Sequence, residues 1–224
     1  MHGQVWRSVA GVTSAYLLVD LGASYSIGGV YAGNINLSGS GTWRVRLSTA
    51  DATGAAGDAH DSTATATGIS TEYRLAVRIF SAAATGRYLR IDLSDATLTH
   101  LEVGLLWAGT VFKPGKNFAF GAQRGYIDHS RRSNGSDGQH WVTRGSRQRY
   151  VRFSLPAITT SEATVSGEVL SRKAGTSDDV LVCLDSASSN IGRETFLGLL
   201  DEVPAWEMSF PGYESASFQV VQRL

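Results

Sequence analysis

The side chains that could do chemistry in this chain gather in four places. Asp128, His129 and Ser130 set the three groups of a hydrolytic relay in consecutive positions. Neighbouring side chains on a strand point to opposite faces, so these three cannot line up as acid, base and nucleophile with one another. Asp51, Asp58, His60 and Asp61 share one loop. The carboxylates of Asp51, Asp58 and Asp61 could hold a hard cation such as calcium. The Ala-Thr-Gly spacing between them gives no defined ladder of ligands, and a solvated loop is the plainer expectation. Arginines crowd positions 124 to 152, with Arg131, Arg147 and Arg149 sharing strand parity. Such a patch could line a channel for DNA. Acids elsewhere, at Glu194, Asp201, Glu202 and Glu207, favour ion pairs between subunits of an oligomer instead. The lone cysteine, Cys183, lies inside the apolar run 180 to 184 with no basic neighbour, which predicts a packed strand position over a reactive thiol.

No G-x-S-x-G elbow, P-loop, H-E-x-x-H or Cys/His metal spacing occurs. The five histidines, His2, His60, His100, His129 and His140, are scattered, and each reads as a surface or turn residue. The expectation is a protein that is not an enzyme and needs no cofactor, structural calcium in the 51 to 61 loop aside.

The elements that must carry these residues are strands. Gly is frequent at 25 residues and Pro scarce at 4, a mixture suited to tight turns between short strands. Apolar runs at 16 to 21, 27 to 37 and 43 to 47 are separated by Gly, Ser and Asn. Residues 49 to 68 have little to bury and predict a long exposed loop. Alternation returns at 73 to 80, where Tyr73, Leu75, Val77 and Ile79 oppose Arg74, Ala76, Arg78 and Phe80, then at 87 to 93 and 98 to 109. Trp6 reads as an anchor against the sheet. The 20 basic and 20 acidic residues balance, which gives no bulk drive toward nucleic acid or an anionic membrane. No apolar run is long enough to span a bilayer, and the start lacks the apolar core of a signal peptide, so folding in a reducing cytoplasm is expected.

Val-Asp-Leu-Gly at 19 to 22, Trp43-Arg-Val-Arg-Leu-Ser48, Gly86-Arg-Tyr-Leu-Arg-Ile91 and Leu101-Glu-Val-Gly-Leu-Leu106 come in the order of a known pattern. The first half of the chain resembles the discoidin, or factor 5/8 type C, galactose-binding-like jelly roll. The N-terminal lead is shorter than is usual there, and the cysteine pair of the extracellular versions is missing. With Trp6-Arg-Ser8, Tyr16 to Gly22 and Glu102 to Phe118, the closer resemblance is to tailed-phage virion proteins of the tail tip or baseplate. It implies a structural protein of the virion tail, made in the host cytoplasm, that joins other phage tail proteins in a homo-oligomeric ring. The alternative it implies is a carbohydrate-binding module contacting host-surface glycans, with Tyr25, Tyr31 and Trp43 as the aromatic platforms.

Lys113-Pro-Gly-Lys-Asn117 is a turn, and a boundary falls within 118 to 125. Domains at 1–121 and 122–224 are therefore expected. In the second, Arg147 to Leu155 alternates as a strand. Residues 159 to 173 form the one helix, capped by Thr160 or Ser161, closed by Arg172-Lys173 and stopped at Gly175, although Gly167 and Val165 weaken it. Strands follow at 180 to 184, 194 to 200, 206 to 210 and 217 to 221. The fold class expected is mainly β, an N-terminal antiparallel jelly-roll sandwich plus a smaller C-terminal β-barrel or sandwich with one helix. The second domain loosely resembles the hub domains that phage tail proteins stack into rings. Assembly contacts are expected at Arg131, Arg147, Arg149, Trp141 and Trp206.

Overall fold

The structure, a computed structural model, describes residues 4–134 and 138–223. His2 and part of the predicted turn at 133 to 138 lie outside the described residues. The fold is mainly β, and its strands pair antiparallel. Two compact units divide the chain. One holds Met1–Val111 and Cys183–Thr195, the other Phe112–Val182 and Phe196–Leu224.

The first unit is built on two strands of 20 residues each, Ser14–Gly33 and Leu75–Ser94, paired from end to end except at two irregularities. The break expected between 21 and 27 is not a turn. Register shifts between Asp20 and Tyr25 and between Ile27 and Gly29 absorb the extra Gly and Ser residues, and the strand runs on. Thr42–Ser48 lies beside Leu75–Ser94, and Leu105–Gly109 beside Ser14–Gly33. Along 14 to 20 the strand alternates: Ala15, Leu17 and Val19 pack on the core while Tyr16 and Leu18 face water. Along 27 to 33 every residue is buried, so both faces of the sheet are covered there. Ile35, Leu37, Trp43, Val45, Leu89 and Ile91 fill the centre.

Residues 73 and 74 precede the strand instead of opening it. Arg74 takes a left-handed φ of 49° in the turn before Leu75. Residues 49 to 68 are mainly turns, with short strands at His60–Asp61 and, just beyond, Ile69–Ser70. Asp95 organises the turn after the long strand. Its carboxylate accepts from the Ser38 and Thr97 amides at 2.7 and 3.0 Å and from the Thr97 hydroxyl at 2.6 Å. Burial pushes this carboxyl up, but the combined donation from Thr97 and Ser38 outweighs it and holds the group at about 2.

The second unit is a six-stranded sheet in the order Val180–Cys183, Thr195–Leu200, Tyr213–Gln222, Arg147–Thr159, Gln123–Asp128, with Glu207–Phe210 also paired to Tyr213–Gln222. Val151, Leu155, Leu200, Phe218 and Val220 are buried. Phe153 stacks on Phe218 at 5.2 Å, and Trp206 meets Phe218 edge-on at 5.8 Å. The helix forms over residues 160 to 174, its second turn widened into a π-helical stretch at Ala163–Gly167. Its cap is Thr159, one residue before the expected position, in a capping box with Glu162. Gly175 ends it at φ 50°. Gly167 is required by packing: a Cβ there would lie within 3.0 Å of the Trp206 ring. A further short helix, Ile191–Glu194, belongs to the first unit.

Candidate functional site

Arg131–Asn134 pairs antiparallel with His140–Thr143 as a two-stranded ribbon. The pairing sets Arg131 opposite Thr143, Arg132 opposite Val142, Ser133 opposite Trp141 and Asn134 opposite His140. One face therefore carries Arg131 and Trp141, the other Arg132 and Val142. All eight residues are exposed, so neither face rests on a core. Trp141 is 62% exposed.

The base of the ribbon is latched. The Ser130 amide donates to Asp128 at 2.8 Å, Arg147 donates to the same carboxylate at 3.3 Å, and the Gly145 amide donates to the Ser130 hydroxyl at 3.0 Å. Donation from Ser130, with Arg147 adding to it, holds the Asp128 carboxyl below its ordinary range. His129 bonds Gln148. The consecutive Asp, His and Ser thus make the contacts of a turn, Asp128 with the Ser130 amide and Arg147, Ser130 with the Gly145 amide, and His129 with Gln148.

The Glu207–Phe210 strand is the counterpart of this ribbon in the same unit. It pairs on one side with Tyr213–Gln222 and its four residues are exposed, Met208 by 83%. Asp201 and Glu202 precede it, both exposed. Glu202 and Glu207 have no cationic partner among the described residues, and Arg131, Arg132 and Arg144 have no acidic one.

The expected assembly contacts separate accordingly. Arg131 and Trp141 stand on the ribbon, and Arg147 is committed at its base. Arg149 is only 8% exposed, set over the Phe196 ring at 5.0 Å, with its amide donating to Gln222. Parity with Val151 turns it inward, so it is removed from the surface contacts. Trp206 is likewise occupied inside the unit, against Phe218.

The aromatic platforms do not form one surface. Trp43 is 1% exposed, and its indole donates to the Thr67 carbonyl at 2.9 Å. Tyr31 is 7% exposed, while Tyr25 is 53% exposed. Burial corrects the expectation for Trp43 and Tyr31: neither presents a ring face on which a sugar could stack.

In the 51 to 61 loop each carboxylate is used by its own turn. Asp51 accepts from the amides of Thr53 and Ala56 at 2.9 and 2.8 Å, and Asp58 from Thr49. Asp61 pairs with Arg44, which holds its carboxyl at about 2. Among the described residues no three His, Cys, Asp or Glu side chains form a group that could hold a metal ion. His60 stacks on Phe80 at 3.6 Å with Nε2 buried, and burial pushes its imidazole below the ordinary value. Among the described residues no helix is long and apolar enough to cross a membrane.

Sequence reasoning missed Arg132, Val142, Met208 and Phe210 as surface contacts. The signal for the first two was the Asn134-Gly135 pair, a hairpin signature between short segments with no apolar period. Set beside family models, curated proteins and solved structures, the chain has no significant match.

Proposed function

We propose that the chain is a non-enzymatic structural protein of a phage tail tip or baseplate, assembling into a ring with copies of itself and with other tail proteins. In this reading the first unit is a discoidin-like jelly roll and the second a hub-like β domain with one helix. The order of the Val-Asp-Leu-Gly, Trp-Arg-Val-Arg and Arg-Tyr-Leu-Arg strand motifs supports the jelly-roll reading, and Trp6-Arg-Ser8, Tyr16 to Gly22 and Glu102 to Phe118 support the virion assignment.

The observation that carries the assembly reading is a pair of exposed apolar surfaces in the second unit, Trp141 with Val142 on the ribbon and Met208 with Phe210 on the edge strand. Phe120, Trp141, Val142, Met208 and Phe210 all face water there. Monomeric proteins seldom leave such side chains open in number, and partner surfaces are the usual reason. The test is light scattering after size exclusion at rising concentration, with and without the other tail proteins, followed by localisation in the particle by cryo-EM. A defined oligomer placed in the tail supports the proposal. A chain that stays monomeric under every condition and is missing from the particle refutes it.

A further inference from the structure

Deepening the assembly reading, on which it rests, we infer that the ribbon strands Arg131–Asn134 and His140–Thr143 of one copy dock on the Glu207–Phe210 edge of a second copy, head to tail. Both partners are unfinished pieces of sheet. A two-stranded ribbon with no core beneath it is marginal in water, and this one carries Trp141 and Val142 exposed. The Glu207–Phe210 strand has one edge paired and the other open among the described residues. Open edges offer a row of amides and carbonyls to any matching strand. The lengths agree, four residues on each side.

The charges agree as well. Arg131, Arg132 and Arg144 sit on and beside the ribbon, while Asp201, Glu202 and Glu207 sit on and before the edge. Met208 and Phe210 supply apolar surface for Trp141 and Val142 to cover. Pairing of a ribbon with an edge would thus bury apolar side chains between matched rows of opposite charge.

The sheet itself dictates that the contact joins different copies. The ribbon springs from the corner where Arg147 faces Asp128. The acidic edge lies where Phe210 faces Tyr213, beside Thr159. These are opposite ends of the Arg147–Thr159 strand and opposite sides of it. At 3.3 Å per residue they are about 40 Å apart along that strand. A ribbon four residues long spans about 13 Å, so it cannot return to its own edge. A surface that meets a different surface on the next copy propagates, and closes as a ring when the rotation permits.

Sedimentation velocity on the full chain tests this with two charge reversals. One variant carries Arg131→Glu and Arg132→Glu, the other Glu202→Arg and Glu207→Arg. Each is expected to weaken self-association at least about tenfold, because ribbon and edge then carry the same sign. An equimolar mixture of the two variants is expected to regain assemblies larger than a dimer, and so is a single chain with all four substitutions. Trp141→Ala, which leaves the charges alone, is expected to weaken assembly with an unchanged melting temperature. If the wild type assembles and the reversals leave it unaffected, or the mixture stays monomeric, the docking is overturned while the ring reading stands. If the ribbon reversal instead abolishes binding to a duplex DNA and leaves assembly intact, the ribbon has another partner and the docking falls. A wild-type chain that stays monomeric, alone and with other tail proteins, overturns both.

Discussion

Replacing Gly167 with Ala should destabilise the second unit, against the expectation from helix propensity. In an exposed helix interior the change would gain about 0.5 to 1 kcal/mol from reduced chain entropy. Here the added methyl would lie within 3.0 Å of two indole carbons and 3.1 Å from a third. Trp206 cannot easily yield. Its ring meets Phe218 edge-on at 5.8 Å, and its N–H donates to the Ser171 hydroxyl at 3.3 Å, which in turn donates to the Gly167 carbonyl at 3.0 Å. Overpacking of this kind costs about 1 to 3 kcal/mol. The net is a loss of up to about 2.5 kcal/mol once the propensity gain is subtracted. For a unit of this size that lowers the melting point by roughly 4 to 8 °C per kcal/mol, read by calorimetry. In a Trp206→Leu background the same substitution should become neutral or stabilising, a coupling well above the roughly 0.5 kcal/mol of independent sites. A higher melting point for Gly167→Ala alone, or the same change in both backgrounds, would refute the packing argument.

Trp43→Ala should cost about 3 to 5 kcal/mol in urea denaturation, as a core truncation does, and the loss should appear with no glycan present. Asp95 should add an acid-sensitive increment of stability. Its folded value of about 2 lies below the ordinary 3.8. The contribution is therefore whole above the ordinary value and lost as the pH falls through the folded one. Urea midpoints measured from pH 5 down to about 2 should show this slope, and Asp95→Asn should flatten it. Burial pushes the Cys183 thiol up, so at pH 8 it should react with a disulfide reagent at least about tenfold more slowly in the native protein than in urea.

Much of the fold could be read from alternation because one sheet face was wet. Tyr16 and Leu18 against Ala15, Leu17 and Val19 show it, as do Arg152 and Ser154 against Val151 and Leu155. Where both faces are covered, the period carries no direction. Tyr31 lies in such a stretch, and nothing in its spacing separates a ring at the surface from one in the core, whereas Trp43 shares parity with the buried Val45 and Leu47 against Thr42 and Arg44, a signal that it faced inward. The helix was legible from its capping and terminal charges, yet Gly167 looked like a flaw until Trp206, 39 positions later in the sequence, explained it. The ribbon went unread because strands without a core have no apolar rhythm. Its arginines were visible, but parity alone could not distinguish Arg131 in water from Arg149 over Phe196.

The assignment of Cys183–Thr195 to the first unit has a consequence for synthesis. The polypeptide leaves that body at Val111, returns to it at Cys183 and departs again after Thr195. An emerging N-terminal half therefore lacks its last piece until Thr195 has left the ribosome. Domain-by-domain maturation, the usual safeguard of large chains, is closed to it. A gene fragment ending at the expected border, residue 121, would encode a body without Cys183–Thr195.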